Sequence, residues 1–400
     1  MMEKPFSDAL PVIDALKNAG FEAYFVGGSV RDKVLSRPVD DIDIATSARP
    51  EQIKIIFHKT VDVGISHGTI LVLFKGNSYE VTTFRTESGY KDFRRPDQVE
   101  FVSNLHEDLK RRDFTMNAMA MDRNGKLLDP FGGRDDIEKR QIRTVGSPSE
   151  RFGEDALRLL RAARFASQLG FSIELHTYSS LIHSASLLKH IAVERKKSEF
   201  EKLLIGAARK IGLEILCKTG MLHYLPGLAE KAHVVRRLIS YEIESLYVNE
   251  MWALLLHCME IEGNKAEAFL RGWKLSVKQM KDIVKLLHFY HLRLENEWDN
   301  LSLFKAGKAV IASVEKLILA TQGESCRRTP DYFISLFDDL PIKERDELAI
   351  SGGDLIRWYG KSGGPWVKEM LEHTEKAVLS GKVKNDKETI REWLLRCSQK

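Results

Sequence analysis

Between residues 27 and 43 the chain reads Gly27-Gly28-Ser29-Val30-Arg31-Asp32 and then Asp41-Ile42-Asp43. The glycine doublet follows a run of strand formers, Ala23-Tyr24-Phe25-Val26. Two glycines there let backbone N–H groups approach an anion with no Cβ in the way. Arg31 is placed to reach a phosphate as a charged donor, and Asp32 instead holds Arg31 or the loop in place. On a strand, residues i and i+2 point the same way, so Asp41 and Asp43 are expected to project together while Ile42 and Ile44 face a core. Two carboxylates held that close repel unless a cation lies between them. Hard oxygen ligands beside a phosphate cradle point to Mg²⁺ and a nucleoside triphosphate. The matching chemistry is in-line attack of a hydroxyl on the α-phosphorus with release of pyrophosphate. Glu80 is either a third carboxylate for this site or an ordinary ion-pair partner.

Two further clusters could complete such a site. In Lys110-Arg111-Arg112-Asp113-Phe114-Thr115-Met116-Asn117-Ala118, apolar Phe114, Ala118 and Met121 recur at helical spacing. The spacing predicts a helix with a basic start, an arrangement the helix dipole disfavours unless a phosphate, a ribose or an ion pair to Asp108 or Asp113 compensates. In Glu154-Asp155-Ala156-Leu157-Arg158-Leu159-Leu160-Arg161-Ala162-Ala163-Arg164, the residues Asp155, Arg158, Arg161 and Arg164 are spaced by three. One helix would carry all four as a polar stripe beside a core face of Leu157, Leu160 and Ala163. Such a stripe is either a solvated face or a recognition surface. An aspartate accepting from an exocyclic amino group and an arginine donating to a ring nitrogen would suit cytosine and adenine. Uracil and guanine reverse that pattern, and each frustrated buried contact costs about 1–3 kcal/mol. Asp155 and Arg158 could therefore select C and A with no template strand.

The elements that must position these residues are legible in part. Apolar spacing predicts a helix over Ala9–Ala19 and strands at Glu22–Val26, Asp41–Ala45, Thr69–Phe74 and Tyr79–Phe84. A short helix begins after Pro50. The charged stretch Phe84–Phe101 reads as a mobile loop, and Asp129-Pro130-Phe131-Gly132-Gly133 as a turn. From about Ser149 the pattern is helix after helix: Glu154–Gly170, Glu194–Ala208, Trp252–Glu260, Lys265–Trp273 and Val277–Leu294.

The 400-residue chain is long enough for several domains, and a 43% hydrophobic fraction supplies their cores. A net charge of only +4 is a weak hint of nucleic acid, so local basic clusters must carry that argument. Cys217, Cys258, Cys326 and Cys397 form no CxxC pair, which excludes a sequence-local zinc site and a disulfide framework. No apolar run approaches the roughly 20 residues that span a bilayer, and Glu3, Lys4 and Asp8 interrupt any leader-like start, so a cytoplasmic protein is expected.

In their order along the chain, these motifs resemble those of the class II tRNA nucleotidyltransferases. That family comprises the bacterial CCA-adding enzymes and their poly(A) polymerase relatives, within the polymerase β-like nucleotidyltransferase superfamily. GGSVRD with DIDIAT resembles the metal and triphosphate motif, RRDFTMNAMA the ribose motif and DPFGGRDDI the turn after it. EDALRLLRAARF resembles the base-selecting helix, and Glu194-Arg195-Lys196-Lys197-Ser198-Glu199-Phe200 the motif that supports that helix.

The resemblance implies an α+β nucleotidyltransferase head (mixed sheet with helices, residues 1–148), followed by an all-α neck (149–208), body (209–310) and tail (311–400). It implies Asp41 and Asp43 as catalytic metal ligands for Mg²⁺, and Gly28 and Arg31 at the nucleotide phosphates. Arg112 would meet ribose or phosphates, and Asp155, Arg158, Arg161 and Arg164 would line the nucleotide pocket. The substrates would be CTP, ATP and the 3′ end of tRNA, the tRNA being held by the C-terminal half. Lysine clusters there, such as Lys274, Lys278, Lys281 and Lys285, read by themselves as solvated helix faces. The chain's length and the lack of a His-Asp doublet look like the short Bacillus-type members, without an added phosphohydrolase domain. The segment Thr83–Pro96, complete here, favours full CCA addition. The alternatives are an A-adding or CC-adding specialist, a class II poly(A) polymerase, a small-molecule nucleotidyltransferase, or an RNA-binding protein on an inactive scaffold.

Overall fold

The structure, a computed structural model, describes residues 3–64, 68–91, 95–323 and 328–397. The chain divides into two compact units, Met1–His233 and Val234–Lys400.

The first unit opens with α1 (Phe6–Asn18), whose Phe6, Ala9, Val12, Ile13 and Leu16 form one buried stripe. There follow β1 (Ala23–Val26), α2 (Gly28–Val34), β2 (Asp43–Thr46), α3 (Pro50–Ile56), β3 (Thr60–Gly64), β4 (Thr69–Phe74) and β5 (Asn77–Thr83). With β8 (Ala120–Met121) and β9 (Leu127–Leu128), five of these strands form a seven-stranded sheet in the order β3-β4-β5-β2-β1-β8-β9. β2 and β5 run parallel, while the other pairs are antiparallel. The registers Val26↔Asp43 and Asp43↔Glu80 bring the end of β1, the start of β2 and the start of β5 side by side. Ile44 and Val81 are fully buried in the core behind them.

The strand expected at Thr69–Phe74 is found with those bounds, and the other three expected strands shift by a residue or two. Asp41 lies ahead of β2 rather than within it, so the two aspartates are not strand neighbours. The edge strand β3 is an addition to the expected set; its apolar Val61 and Val63 face solvent, so they present no buried alternation. The segment read as a mobile loop is instead a hairpin, with β6 (Arg85–Lys91) paired antiparallel to β7 (Arg95–Phe101). A polar two-stranded ribbon needs only its backbone ladder, and so gives little hydrophobic signal. Residues 92–94 of the expected loop lie outside the described residues.

The basic triplet at 110–112 ends a helix rather than starting one. α4 (Leu105–Lys110) closes on Arg111, and a 3₁₀ turn at Thr115–Asn117 follows. Cations there suit the helix dipole, which removes the argument for an anion drawn from a basic start. Next come α5 (Gly133–Glu138), β10 (Gln141–Ile142), α6 (Pro148–Glu154), α7 (Leu157–Leu169), β11 (Ser172–Ile173), α8 (Leu175–Ser184), α9 (Val193–Leu204) and α10 (Arg209–Lys218). The expected helix over 154–170 is thus two helices, with Asp155 extended (φ −135°, ψ 103°) between them. α7 is clamped by its neighbours. Ser167 Oγ donates to the Leu203 carbonyl at 2.6 Å, and the Ala208 N–H donates to the Ser167 carbonyl at 2.7 Å. On α10, Gly212 lies so close that a Cβ there would sit 2.7 Å from Ser167 Cβ and 2.8 Å from the Ala163 carbonyl oxygen.

The unit division falls in the first turn of α11 (Ala232–Ile239). The second unit is helical among its described residues: α12 (Val248–Cys258), α13 (Gly263–Gly272), α14 (Val277–Glu295), α15 (Asn300–Ala306), α16 (Lys308–Gln322), α17 (Pro330–Asp338), α18 (Gly352–Tyr359), α19 (Pro365–Leu379) and α20 (Lys387–Cys397). Trp252 and Trp273 meet edge to face in its core at 5.2 Å. No described helix is long and apolar enough to cross a membrane.

The Gly212 contact yields a prediction. Gly212→Ala forces α10 off α7 and lowers stability by about 1–3 kcal/mol, read as a fall in the urea midpoint. An unchanged midpoint would mean that the crossing is looser than the geometry describes.

Candidate functional site

A cleft of about 1000 Å³ opens in the first unit, and all nine expected residues line it: Gly28, Arg31, Asp41, Asp43, Arg112, Asp155, Arg158, Arg161 and Arg164. One end is acidic. Asp43 projects from the start of β2, Glu80 stands opposite it in register, and Asp41 enters from the preceding loop. The two aspartates share the cleft as expected, although a loop rather than a strand presents the first. Burial is the largest influence on Asp43, and the nearby charges of Glu80 and Asp41 add to it. Together they push its pKa up to about 6, against the pull of Arg112. No hydrogen bond from another described residue reaches the carboxylates of Asp41, Asp43 or Glu80. Among the described residues no three carboxylates, imidazoles or thiols gather into a finished metal cage. An open pair of this kind is how Mg²⁺ is commonly held, by one or two carboxylates together with substrate phosphates.

The turn beside these carboxylates is made by Gly27, at φ +72°, rather than by Gly28. A Cβ at Gly27 would stand 3.1 Å from Asp43 Oδ2 and 3.2 Å from Arg112 Nη1. Glycine is therefore required there on two counts, backbone conformation and space. Arg31, on α2, forks onto Asp32, with Nε to Oδ1 at 3.0 Å and Nη2 to Oδ2 at 2.8 Å; its Nη1 donates to Asn117 Oδ1 at 2.8 Å. This is the holding role open to Asp32 from the sequence. Arg112 donates to Asp108 Oδ2 at 3.2 Å, and its buried Nε has no described partner. Asp108 is buried, which alone would raise its pKa, but Arg111 and Arg112 outweigh burial and hold it below the usual range.

The other end is rich in arginine. Arg158, Arg161 and Arg164 do share a face of α7, while Asp155 caps its start by accepting from the Leu157 N–H at 3.0 Å. Each charge is engaged. Asp155 accepts two bonds from Arg195 of α9, at 3.2 and 2.8 Å. Arg158 donates to Glu154 at 2.5 Å and to the carbonyls of Arg151 and Arg111 at 3.0 and 2.8 Å. Arg161 meets Asp113 at 2.6 Å, and Arg164 meets Glu199 of α9 at 2.5 Å. Asp113 is held down to about 2: burial opposes its charge, but Arg161, Arg158 and Asn117 outweigh burial. Of the ion pairs offered from the sequence as the plain alternative for the basic triplet, the one to Asp108 is made, by Arg111 and Arg112, whereas Asp113 pairs with Arg161 instead.

Sequence reasoning passed over Gly27, Asn117, Phe165, Arg195 and Lys202 as cleft-lining residues. Gly27 and Phe165 sit beside residues that were selected. Asn117 lies within the 110–118 cluster, but its signal was spent on the helix reading. Arg195 lies in the 194–200 stretch that resembles a helix-supporting motif, though not as a lining residue, and Lys202 carries no local sign; the packing of α9 on α7 brings both in.

Comparison with known proteins gives this geometry its setting. Residues 23–143 match the family model of the poly A polymerase head domain. Residues 170–231 match that of a probable RNA- and SrmB-binding site of polymerase A, and residues 247–394 that of a putative tRNA nucleotidyltransferase domain 2. The chain is 49% identical over 400 residues to a CCA-adding enzyme of Geobacillus thermodenitrificans, covering 100% of this chain and 98% of the relative. It is 47% identical over 394 residues to one from Bacillus cereus, covering 98% and 99%. Its fold is similar to the crystal structure of the Bacillus stearothermophilus CCA-adding enzyme in complex with CTP, with a TM-score of 0.91 at 45% identity over 100% of this chain and 98% of that one. Likeness of this extent runs through the acidic end, the arginine helix and the helical unit alike, and on it the chain belongs to the CCA-adding enzymes, tRNA nucleotidyltransferases of the poly A polymerase family.

Proposed function

We propose that this chain adds C, C and A in turn to the 3′ end of tRNA, without a template, from CTP and ATP and with release of pyrophosphate. One observation carries the reading. A single cleft has uncompensated carboxylates at one end and, at the other, arginines and an aspartate with donors and acceptors for a base. A nucleoside triphosphate has the complementary layout, with its phosphates far from its base.

The acidic end fits divalent cations. Asp43 is strained as a bare carboxylate, its ligand atoms are hard oxygens, and the open pair leaves room for phosphate oxygens. Asp41 and Asp43 would hold Mg²⁺, which when bound lowers the pKa of the attacking hydroxyl and neutralises the leaving phosphates. Arg31 and the Gly27-Gly28 turn face the triphosphate. Arg112, with an unspent buried Nε, faces the ribose or phosphates. Asp155 accepts from the amino group of cytosine or adenine and Arg158 donates to the adjacent ring nitrogen. The three bonds Arg158 already makes leave guanidinium N–H groups for this. Arg161 and Arg164 support the pocket. Head, neck, body and tail divided at residues 148, 208 and 310, a tRNA-holding C-terminal half and a cytoplasmic location belong to the same proposal.

Asp43 gives a test with two readouts. Asp43→Asn is expected to cut incorporation of labelled CTP into tRNA by about 10³-fold or more. The same change should stabilise the metal-free protein at pH 7.5. A folded pKa of about 6, above the usual 3.8, means that the folded chain binds the extra proton. The resulting stability is full below pH 3.8 and lost as pH rises through 6. Above that, the wild-type chain carries a penalty of about 1–3 kcal/mol, discounted for partial exposure, which asparagine removes. A variant that is both active and no more stable would remove the metal assignment. For base choice, Asp155→Asn is expected to narrow the preference for CTP over UTP by about tenfold. Unchanged selectivity would put base choice elsewhere.

A further inference from the structure

Amid the charges of the cleft lies one aromatic ring. Phe165, next to Arg164 on α7, is only 4% exposed. Three guanidinium groups gather on it, from Arg164 at 3.9 Å, Arg31 at 5.1 Å and Arg161 at 5.3 Å from the ring centroid. Like charges around one ring repel, and here each is balanced by its own carboxylate, Glu199, Asp32 and Asp113 respectively. Fully buried Phe114 abuts the ring edge-on at 5.8 Å and leaves it little freedom to tilt.

Asn117 closes a circuit through this ring. Its Oδ1 accepts from Arg31 Nη1 at 2.8 Å and its Nδ2 donates to Asp113 Oδ1 at 3.1 Å. Only one orientation of the amide satisfies a guanidinium on one side and a carboxylate on the other. The path runs from Arg31 through Asn117 and Asp113 to Arg161, then through Phe165 back to Arg31. Arg31 follows the glycine turn at the phosphate end, and Arg161 stands one helical turn beyond Arg158 at the base end. A leucine would fill the space of Phe165 about as well in a plain core. It would lack the ring's quadrupole, which attracts each cation and gives it a direction.

We infer that Phe165 and Asn117 are positioning residues that set the separation between the phosphates and the base of the bound nucleotide, so that fast transfer requires correct docking of the base. The inference rests on the function proposed above. A base with the wrong donor pattern displaces the arginines at one end, and the circuit carries that displacement to Arg31 at the other.

The test is steady-state kinetics on the full chain with tRNA ending in the discriminator base, supplied with CTP or UTP, and with tRNA ending in CC, supplied with ATP. Phe165→Leu is expected to lower kcat for CTP and ATP by about tenfold or more with KM shifted less than about threefold. The ratio of CTP to UTP efficiency should fall by about tenfold. Phe165→Tyr, which keeps the ring, restores most of both. Asn117→Ala has the same signature, and the double variant is no slower than the worse single one, as expected of residues acting as one unit. The inference is overturned if Phe165→Leu lowers only the melting temperature while kcat and selectivity stay within twofold of wild type. Fully additive effects of the two substitutions would overturn it as well. Should Phe165→Leu not fold, the kcat and selectivity of Asn117→Ala decide alone. Wild-type extension of tRNA in the same assay separates the two readings, since its absence would sink the proposed function itself.

Discussion

Everything in the first unit is arranged around a repulsion that the protein does not relieve. The parallel pairing of β2 with β5 sets Asp43 against Glu80, the preceding loop adds Asp41, and no described hydrogen bond offsets the three charges. A structural ion network would have neutralised such a cluster. Arg112 comes nearest to doing so, yet Asp108 holds one of its amino groups. Unfavourable electrostatics kept in a cleft mark a place where binding supplies the missing charge.

At the arginine-rich end the logic is inverted. Arginines converge there from two helices, α7 and α9, and each has a carboxylate of its own: Glu154, Asp113, Glu199 and Asp155 pair with Arg158, Arg161, Arg164 and Arg195, while Arg31 at the phosphate end pairs with Asp32. Buried pairs of this kind add little net stability but are costly to break singly, so they fix geometry more than they strengthen the fold. Guanidinium suits the task because a carboxylate can take one edge of its fork while other N–H groups still face the cleft. The pocket is in this way both preorganised and able to donate.

How much of this was legible in the sequence follows from the range of each signal. The Gly-Gly turn, the aspartate pair and the three arginines of α7 are local patterns, and all reach the same cleft. The fold class and the main strands follow from local alternation and helical spacing. What failed was local conformation without a hydrophobic marker. The β6–β7 hairpin is a polar ribbon. The 110–118 segment has helical spacing of buried residues but turns instead, because Asp113 spends its carboxylate on the Phe114 N–H, Asn117 and Arg161. Asp155 kept its place in the stripe by number alone; its extended backbone breaks the helix there. Lys202 was invisible, and Arg195 was legible only as part of a helix-supporting motif, because a place in the cleft depends on a helix–helix contact distant in sequence, 40 residues for the Asp155–Arg195 pair.

The near-contact of Gly212 with Ser167 and Ala163 has a bearing on how such a pocket can change over evolutionary time. With backbone against backbone on one side, and Ser167 tied to Leu203, α7 is denied rotation about its own axis. A single residue inserted upstream of that clamp would swing every preceding side chain through about 100° and scatter the guanidinium row. The azimuth of the row is therefore inherited as a fixed phase, and new substrate preferences must arise by exchanging side chains at set angular stations, not by turning the shaft that carries them.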